Sequence, residues 1–201
     1  MPKRNFLSGA LIAGIAAVSL SIAAHAADTA ALKEKLKDKL QLCAGCHGEN
    51  GISDMANTPS LAGQPDLFLQ WQLVFFRSGA RKNEIMGPIA ETLTNEDVRN
   101  LGAYYASLPP PPAKAGDNGD LAAKGKQAAA GRRCASCHTD NYAGTKATAR
   151  IAGQREDYLL KALHDYKSGA RSGGGMAAMA DVAYPLSEEE ITALAHYLAG
   201  L

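Results

Sequence analysis

The chain has 201 residues, with 21 basic and 20 acidic side chains and a formal net charge of +1. This balance lacks the excess of Lys and Arg that marks a nucleic-acid-binding protein, so we expect no nucleic-acid partner. The four cysteines form two short pairs and are not spread along the chain as a disulfide framework would be. Only 6% of the residues are aromatic, so we expect a thin hydrophobic core that a large apolar group fills.

Residues 1–26 have the pattern of a secretory signal peptide. Lys3 and Arg4 precede an apolar run over residues 7–22, and Ala24-His25-Ala26 forms an A-x-A cleavage site. The apolar run is short for a bilayer span, so a retained membrane anchor is the weaker alternative. We predict cleavage after Ala26 and export, most simply to a bacterial periplasm.

Residues 27–108 are predicted to form a first helical unit. Leu32, Leu36 and Leu40 recur every four residues on a charged helix. The stretch "PDLFLQWQLVFFRSG" predicts a helix with proline in its first turn and glycine at its end. Thr94-x-x-Asp97 resembles a capping box and predicts the start of a last helix. No stretch has a convincing strand pattern.

Residues 109–120 are predicted to be a linker. The four consecutive prolines Pro109–Pro112 cannot continue a helix and favour an extended polyproline path. The Gly, Asp and Asn residues that follow predict a looser loop.

Residues 121–201 repeat the first unit. "LAGQPDLFLQWQLVFFRSGARKNEIM", from Leu61 to Met86, aligns without a gap with "IAGQREDYLLKALHDYKSGARSGGGM", from Ile151 to Met176. Ser187-x-x-Glu190 then completes a capping box before the second last helix. An internal repeat of this length indicates a duplication, so we predict an all-α fold of two tandem domains.

Each unit carries one Cys-x-x-Cys-His motif, and this motif predicts covalent attachment of haem c. One helical turn places both thiols along one porphyrin edge, where each adds to a vinyl group. The histidine that follows then points its Nε2 at the iron as the proximal ligand. The predicted attachment residues are Cys43, Cys46, Cys134 and Cys137, and the predicted proximal ligands are His47 and His138.

Two other readings of the motif are a zinc site and a redox disulfide. Zinc knuckles rarely carry histidine at this place in both copies, and here each copy stands in its own unit. A thioredoxin-like disulfide needs a βαβ pattern around it, which the sequence lacks. Two copies in register in an exported chain favour haem.

A methionine in each unit is the candidate sixth ligand of the iron. Met86 and Met176 each lie five residues after the arginine of a Ser-Gly-Ala-Arg stretch. A thioether opposite histidine raises the reduction potential and suits electron transfer. Met179 is the rival in the second unit, because it precedes Leu186 by the same seven residues that separate Met86 from Leu93. Three additional residues in the loop "DVAYP" would reconcile the alignment with Met176, which we prefer.

Other polar and sulfur-containing residues are weaker candidates. The first unit has no histidine at the positions that match His164 and His196, and Met55 has no counterpart in the second unit. We therefore expect these three side chains to be structural or exposed to solvent. Arg81 and Arg171 either donate to haem propionates or belong to a solvated turn.

Taken together, "CAGCH", "CASCH", "LAGQ", "IAGQ", "SGAR" and the segment from methionine to the last helix resemble the dihaem class I c-type cytochromes of the cytochrome c4 family. The resemblance covers almost all of the chain after the signal peptide. It implies two all-α cytochrome c-like domains packed head to head, His/Met ligation of both irons, and propionates near the domain interface. In this family a proline carbonyl accepts from the proximal histidine; Pro59 matches it in the first unit, and Ala149 stands there in the second.

The resemblance also implies a function. The chain is expected to bind two covalent haem c groups and to carry electrons from a quinol-oxidising complex to a terminal oxidase, with peripheral membrane association possible. We expect an electron-transfer protein and not an enzyme. The alternatives are a cytochrome subunit of a periplasmic oxidoreductase, such as flavocytochrome sulfide dehydrogenase, or a small dihaem enzyme, such as a peroxidase or a thiosulfate-oxidising cytochrome.

Overall fold

The computed structural model describes residues 28–113, 118–172 and 177–201. The predicted signal peptide over 1–26 and the predicted ligand Met176 therefore lie outside the described residues. The described part of the chain is helical and contains no strand, which confirms the predicted fold class. Its one element of β pairing is an isolated bridge between Thr145 and Thr148.

Five helices form the first domain. A helical segment, α1, covers residues 28–35 and is followed after Leu36 by α2. Hydrogen bonds from Leu36 N to Leu32 O and from Leu40 N to Leu36 O carry the helical pattern across this turn. Leu36 is buried, and Leu32 and Leu40 pack against the same core, as the four-residue spacing predicts. The other helices are α2 (Lys37–His47), α3 (Asp66–Arg77), α4 (Met86–Glu91) and α5 (Asn95–Ser107).

The second domain has the same order of helices with one difference. Where α2 runs unbroken into the first Cys-x-x-Cys-His motif, the second domain ends one helix at Gly131 and begins a short one at Ala135. Arg133 lies between them with φ 56°, a left-handed conformation that breaks the helix. The helices are α6 (Gly119–Gly131), α7 (Ala135–His138), α8 (Glu156–Lys167), α9 (Ala177–Ala183) and α10 (Glu188–Ala199).

Both predicted capping boxes are present. The Thr94 hydroxyl accepts from Asp97 N, and the Asp97 carboxylate accepts from Thr94 N, at the start of α5. Ser187 and Glu190 make the same pair of bonds at the start of α10. In α3, the predicted proline stands directly before the first helical residue, Asp66.

The proline segment runs along the boundary between the two domains. It passes so close to the Ala-Gly-Gln stretches that a Cβ on Gly63 would lie 2.7 Å from the Cβ of Pro110. A Cβ on Gly153 would lie 3.1 Å from Pro111 O. Both glycines have positive φ, 68° and 69°, so this position needs glycine for its backbone conformation and for space.

Within the part of the chain that the structure describes, no helix combines the length and the hydropathy of a transmembrane span.

Candidate functional site

The first Cys-x-x-Cys-His motif forms the C-terminal end of α2. Cys43 packs against the core of the first domain, and His47 is buried at 7% exposure. Gly48 follows with φ 79°, and a Cβ there would lie 2.1 Å from Ile52 O. The chain therefore turns back sharply after the histidine, and this turn brings the loop up to Pro59 beside the imidazole.

The second motif lies on α7. His138 is buried at 8% exposure, and Cys134 packs against the core of the second domain. Thr139 takes the place of Gly48 and has φ 68°, a conformation that favours glycine. Its hydroxyl bonds to the Asn141 side chain at 2.8 Å, which helps hold this turn.

A backbone carbonyl orients each motif histidine. His47 Nδ1 donates to Pro59 O at 2.9 Å, and His138 Nδ1 donates to Ala149 O at 2.7 Å. A carbonyl can only accept, so the proton is on Nδ1 and the Nε2 lone pair is available to a metal. The hydrogen bond that the family resemblance implied is thus present in both domains, although alanine replaces proline in the second.

Burial sets the protonation of the motif residues. It lowers the pKa of His47 and of His138, and the bonds to Pro59 and Ala149 oppose this only in part. Both imidazoles are therefore neutral at neutral pH, as an iron ligand must be. Burial raises the pKa of the Cys43 and Cys134 thiols, which keeps them protonated.

The second motif opens into a cavity of about 640 Å³. Cys134, Cys137 and His138 line it, and Met179 from α9 lines it too. Two thiols beside one imidazole and a thioether are the donors that a His/Met-ligated haem c requires. The residues present therefore fit this group. Apolar side chains from both domains complete the wall: Phe68, Trp71, Phe75, Leu163, Leu194 and Leu198.

Buried alanines show which positions of α4 and α9 correspond, and thereby which methionine matches Met86. Ala90, four residues after Met86, is 1% exposed; Ala183, four residues after Met179, is 0% exposed.

The next matched positions keep this register. Leu93 and Leu186 are both buried, and Thr94 and Ser187 both cap the following helix. This common spacing of 93 residues pairs Met86 with Met179 and places the three additional residues before Met179. This register makes Met179 the match of Met86 in the described residues; Met176 stays a prediction, because it lies outside them.

The alternative readings of the motif find no support in the described residues. All four cysteines are free, so neither pair forms a disulfide. In residues 28–113, 118–172 and 177–201, no three His, Cys, Asp or Glu side chains group closely enough to hold a metal ion.

The two Ser-Gly-Ala-Arg arginines meet at the domain boundary. Arg81 donates to Gln72 Oε1 at 2.7 Å, and Arg171 donates to the same oxygen at 2.8 Å. Both also contact the hydroxyl of Tyr158, at 3.2 Å and 3.5 Å. Arg171 is only 5% exposed. The two guanidiniums therefore turn inward, and the solvated-turn alternative does not apply.

These guanidiniums change the acidity of Tyr158. Burial alone would raise the pKa of its phenol, but Arg81 and Arg171 outweigh burial and lower the pKa to about 8. The Tyr158 hydroxyl thus links two cationic side chains, Arg81 and Arg171, that come from different domains.

The remaining candidate side chains have structural or surface positions. His196 is buried at 7% exposure, with Nδ1 3.2 Å from a Glu156 carboxylate oxygen. His164 is exposed and pairs with Glu188, and Met55 is 43% exposed.

Sequence reasoning missed the role of two glutamines. Gln64 and Gln154, the last residues of the Ala-Gly-Gln stretches, are each 5% exposed and bond across the domain boundary. Their repetition at matched positions was a signal, but nothing in the sequence says what an amide side chain will contact.

Known proteins resemble this chain over both of its domains. The cytochrome c family model matches residues 34–109 and 122–201, one copy for each Cys-x-x-Cys-His motif. Cytochrome c4 of Azotobacter vinelandii is 30% identical over 97% of this chain and 100% of the relative. The thiosulfate dehydrogenase electron acceptor of Stutzerimonas stutzeri strain A1501 is 32% identical over 94% of each chain.

A solved structure is similar over both domains. The crystal structure of reduced recombinant cytochrome c4 from Pseudomonas stutzeri matches with a TM-score of 0.77 at 30% identity. The match covers 84% of this chain and 97% of that one, so it includes the arrangement of the two domains.

Proposed function

Since this chain belongs to the cytochrome c family, as a dihaem cytochrome of the cytochrome c4 type, we propose that it carries electrons between redox partners of a respiratory chain in the periplasm. That it is an electron-transfer protein with two covalently bound haem c groups follows from the family and its two matched domains.

The haem groups supply a one-electron Fe(III)/Fe(II) couple when attached. Cys43 and Cys46 would hold one group and Cys134 and Cys137 the other through thioethers. Backbone carbonyls orient the two imidazoles, and apolar side chains would exclude water around the second group. The observation that carries the proposal is the anchored neutral imidazole in each domain. In the second domain it shares one cavity with two thiols and a methionine.

We propose as axial ligands His47 with Met86, and His138 with Met179. Two neutral ligands favour Fe(II) and raise the reduction potential into the range of electron carriers. The repeated register of Ala90 and Ala183 supports Met179, whereas the alignment from the arginine side supported Met176.

The proposed route runs from a quinol-oxidising membrane complex to a terminal oxidase. The test uses the secreted protein made with haem-attachment machinery. Its mass should equal the chain without residues 1–26 plus two haems, and the reduced spectrum should be that of low-spin haem c. The oxidised protein should then be reduced by membranes supplied with quinol, and reoxidised by an oxidase. A mass without haem contradicts the cofactor; an inert dihaem protein contradicts only the route.

A second candidate function is that of an electron acceptor for a thiosulfate-oxidising enzyme. The observation that favours it is the relative named thiosulfate dehydrogenase electron acceptor, which matches this chain along nearly its full length. Reduction of the dihaem protein by thiosulfate with a purified thiosulfate dehydrogenase, faster than by quinol-supplied membranes, would favour this candidate.

A further inference from the structure

One peptide group in the first domain makes two hydrogen bonds in opposite directions. The peptide joins Pro59 to Ser60. Its carbonyl accepts from His47 Nδ1 at 2.9 Å, and its N–H donates to Gln154 Oε1 at 2.8 Å. Gln154 belongs to the second domain, so a chain of hydrogen bonds runs from one domain to the proximal histidine of the other.

The second domain repeats this arrangement. The peptide that joins Ala149 to Arg150 accepts from His138 Nδ1 at 2.7 Å and donates to Gln64 Oε1 at 3.0 Å. Gln64 belongs to the first domain. The arrangement is thus reciprocal, and it uses the glutamine of each Ala-Gly-Gln stretch.

Each glutamine is fixed by a return bond. Gln154 Nε2 donates to Ser60 O at 2.9 Å, and Gln64 Nε2 donates to Arg150 O at 2.8 Å. Ser60, Gln64 and Gln154 are 2%, 5% and 5% exposed. The bonds therefore lie in a site of low dielectric constant, where hydrogen bonds are stronger than in water.

Hydrogen bonds in series polarise one another. A peptide that donates through its N–H has a more negative carbonyl oxygen, which accepts more strongly from the histidine Nδ1–H. A stronger bond at Nδ1 makes the imidazole a more basic ligand at Nε2. A more basic ligand stabilises Fe(III) relative to Fe(II), so it lowers the reduction potential.

We propose that each domain tunes the haem of the other: Gln154 acts on the first haem through the Pro59–Ser60 peptide, and Gln64 acts on the second through the Ala149–Arg150 peptide. Both glutamines are positioning residues that contact neither haem ligand. The inference rests on the proposed function, because it needs a haem iron on each histidine.

The test replaces each glutamine by methionine, which is similar in size but cannot accept from the peptide N–H. Gln154→Met should move the His47 Nδ1–H resonance of the reduced protein upfield and leave that of His138 in place. The potential of the first haem should rise, by about twofold in its reduction equilibrium constant, or about 18 mV for one electron. Gln64→Met should instead shift the His138 Nδ1–H resonance upfield and raise the potential of the second haem.

Two further variants separate tuning from loss of structure. Gln72→Met removes another buried glutamine of the boundary, one that bonds to Arg81 and Arg171 and to no peptide; both Nδ1–H resonances should stay in place. Gln154→Glu keeps an oxygen that accepts from Ser60 N–H but loses the donor to Ser60 O, so its His47 resonance should lie closer to the native position than that of Gln154→Met. If Gln154→Met fails to fold, Gln64→Met carries the test in the reciprocal direction.

The crossed pattern is the result that supports the proposal. Three results would overturn it: changes in the Nδ1–H resonance and potential confined to the glutamine's own domain, equal changes in both domains, or no change in a folded dihaem protein. A chain whose mass shows no haem would overturn the proposed function itself, and the inference with it.

Discussion

Single residues show how the backbone holds the two proximal histidines. Pro59 and Ala149 differ in side chain, yet both carbonyls accept from a histidine Nδ1. Because every residue has a carbonyl, the substitution leaves the bond in place; proline differs from alanine in fixing φ. The side chain matters more where the chain turns, as at Gly48.

The first prediction concerns the sixth ligand of the second iron. Met179→Ala should abolish the far-red Met–iron band of one haem and lower the potential of that haem, because a thioether that favours Fe(II) is lost. Met86→Ala should do the same to the other haem. Met176→Ala is the matched control and should change neither. Loss of the band in Met176→Ala, with Met179→Ala unchanged, would restore the alignment-based prediction. Redox titration followed by absorption distinguishes these outcomes.

The second prediction concerns the turn after His47. Gly48→Ala should lower the free energy of unfolding by about 2 kcal/mol or more, because a Cβ would lie 2.1 Å from Ile52 O and φ is 79°. Gly79→Ala is the control, since Gly79 has φ 73° but nothing within 4 Å of a Cβ. It should cost about 1 kcal/mol, the conformational part alone. Equal losses in guanidinium denaturation would show that the contact with Ile52 does not matter.

Among the helices, the close pair of the second domain depends on one small residue. Gly125 on α6 faces α10, and a Cβ there would lie 2.0 Å from Ala193 O and 2.5 Å from the Tyr197 Cβ. The two backbones therefore approach more closely than any side chain allows. The capping box of Ser187 and Glu190 fixes where α10 begins and thereby where Ala193 lies.

The third prediction tests this helix contact. Gly125→Ala should destabilise the second domain by about 1–3 kcal/mol, because the obstacle is backbone and cannot move aside. Gly131→Ala lies on the same helix with nothing within 4 Å of a Cβ, so it should be neutral or slightly stabilising. Thermal unfolding followed by circular dichroism measures both. Equal midpoints would contradict the close approach of α6 and α10.

At the scale of the whole molecule, polar contacts hold the two domains together. Besides the glutamine bonds, Arg155 donates to Ser53 O at 3.0 Å, and Asp157 accepts from Asn57 N at 2.9 Å. Most of these contacts join a side chain to a backbone group. Such contacts fix orientation closely, and a fixed orientation keeps two redox centres at a constant separation.

The fourth prediction concerns pH and Tyr158. The pKa of its phenol is lowered from 10.0 to about 8 in the folded protein, so ionisation favours the folded state. This contribution is fully present above pH 10 and is lost as the pH falls to about 8. Relative to Tyr158→Phe, the native protein should therefore gain stability between pH 8 and pH 10, by at most ~1.4 kcal/mol per pH unit. Parallel denaturation midpoints for the two proteins over this range would contradict the link between Tyr158, Arg81 and Arg171.

The sequence by itself determined the features that depend on neighbours along the chain. Four-residue spacing and capping boxes act within one or two helical turns, so the helices could be predicted from the sequence. The Cys-x-x-Cys-His motif is equally local, and it is the basis for the proposed attachment residues and proximal histidines. The duplication was equally visible, because it is a comparison of the sequence with itself.

Only the tertiary structure decided what depends on residues far apart in the sequence. The proposed choice of Met179 over Met176 rests on the burial of both Ala90 and Ala183, which follow Met86 and Met179 at the same distance. The inward turn of Arg81 and Arg171 and the crossed bonds of Gln64 and Gln154 need the other domain in place. A polar side chain bonds to whatever the fold brings within about 3 Å, and that neighbour is set by packing between domains and not by local spacing.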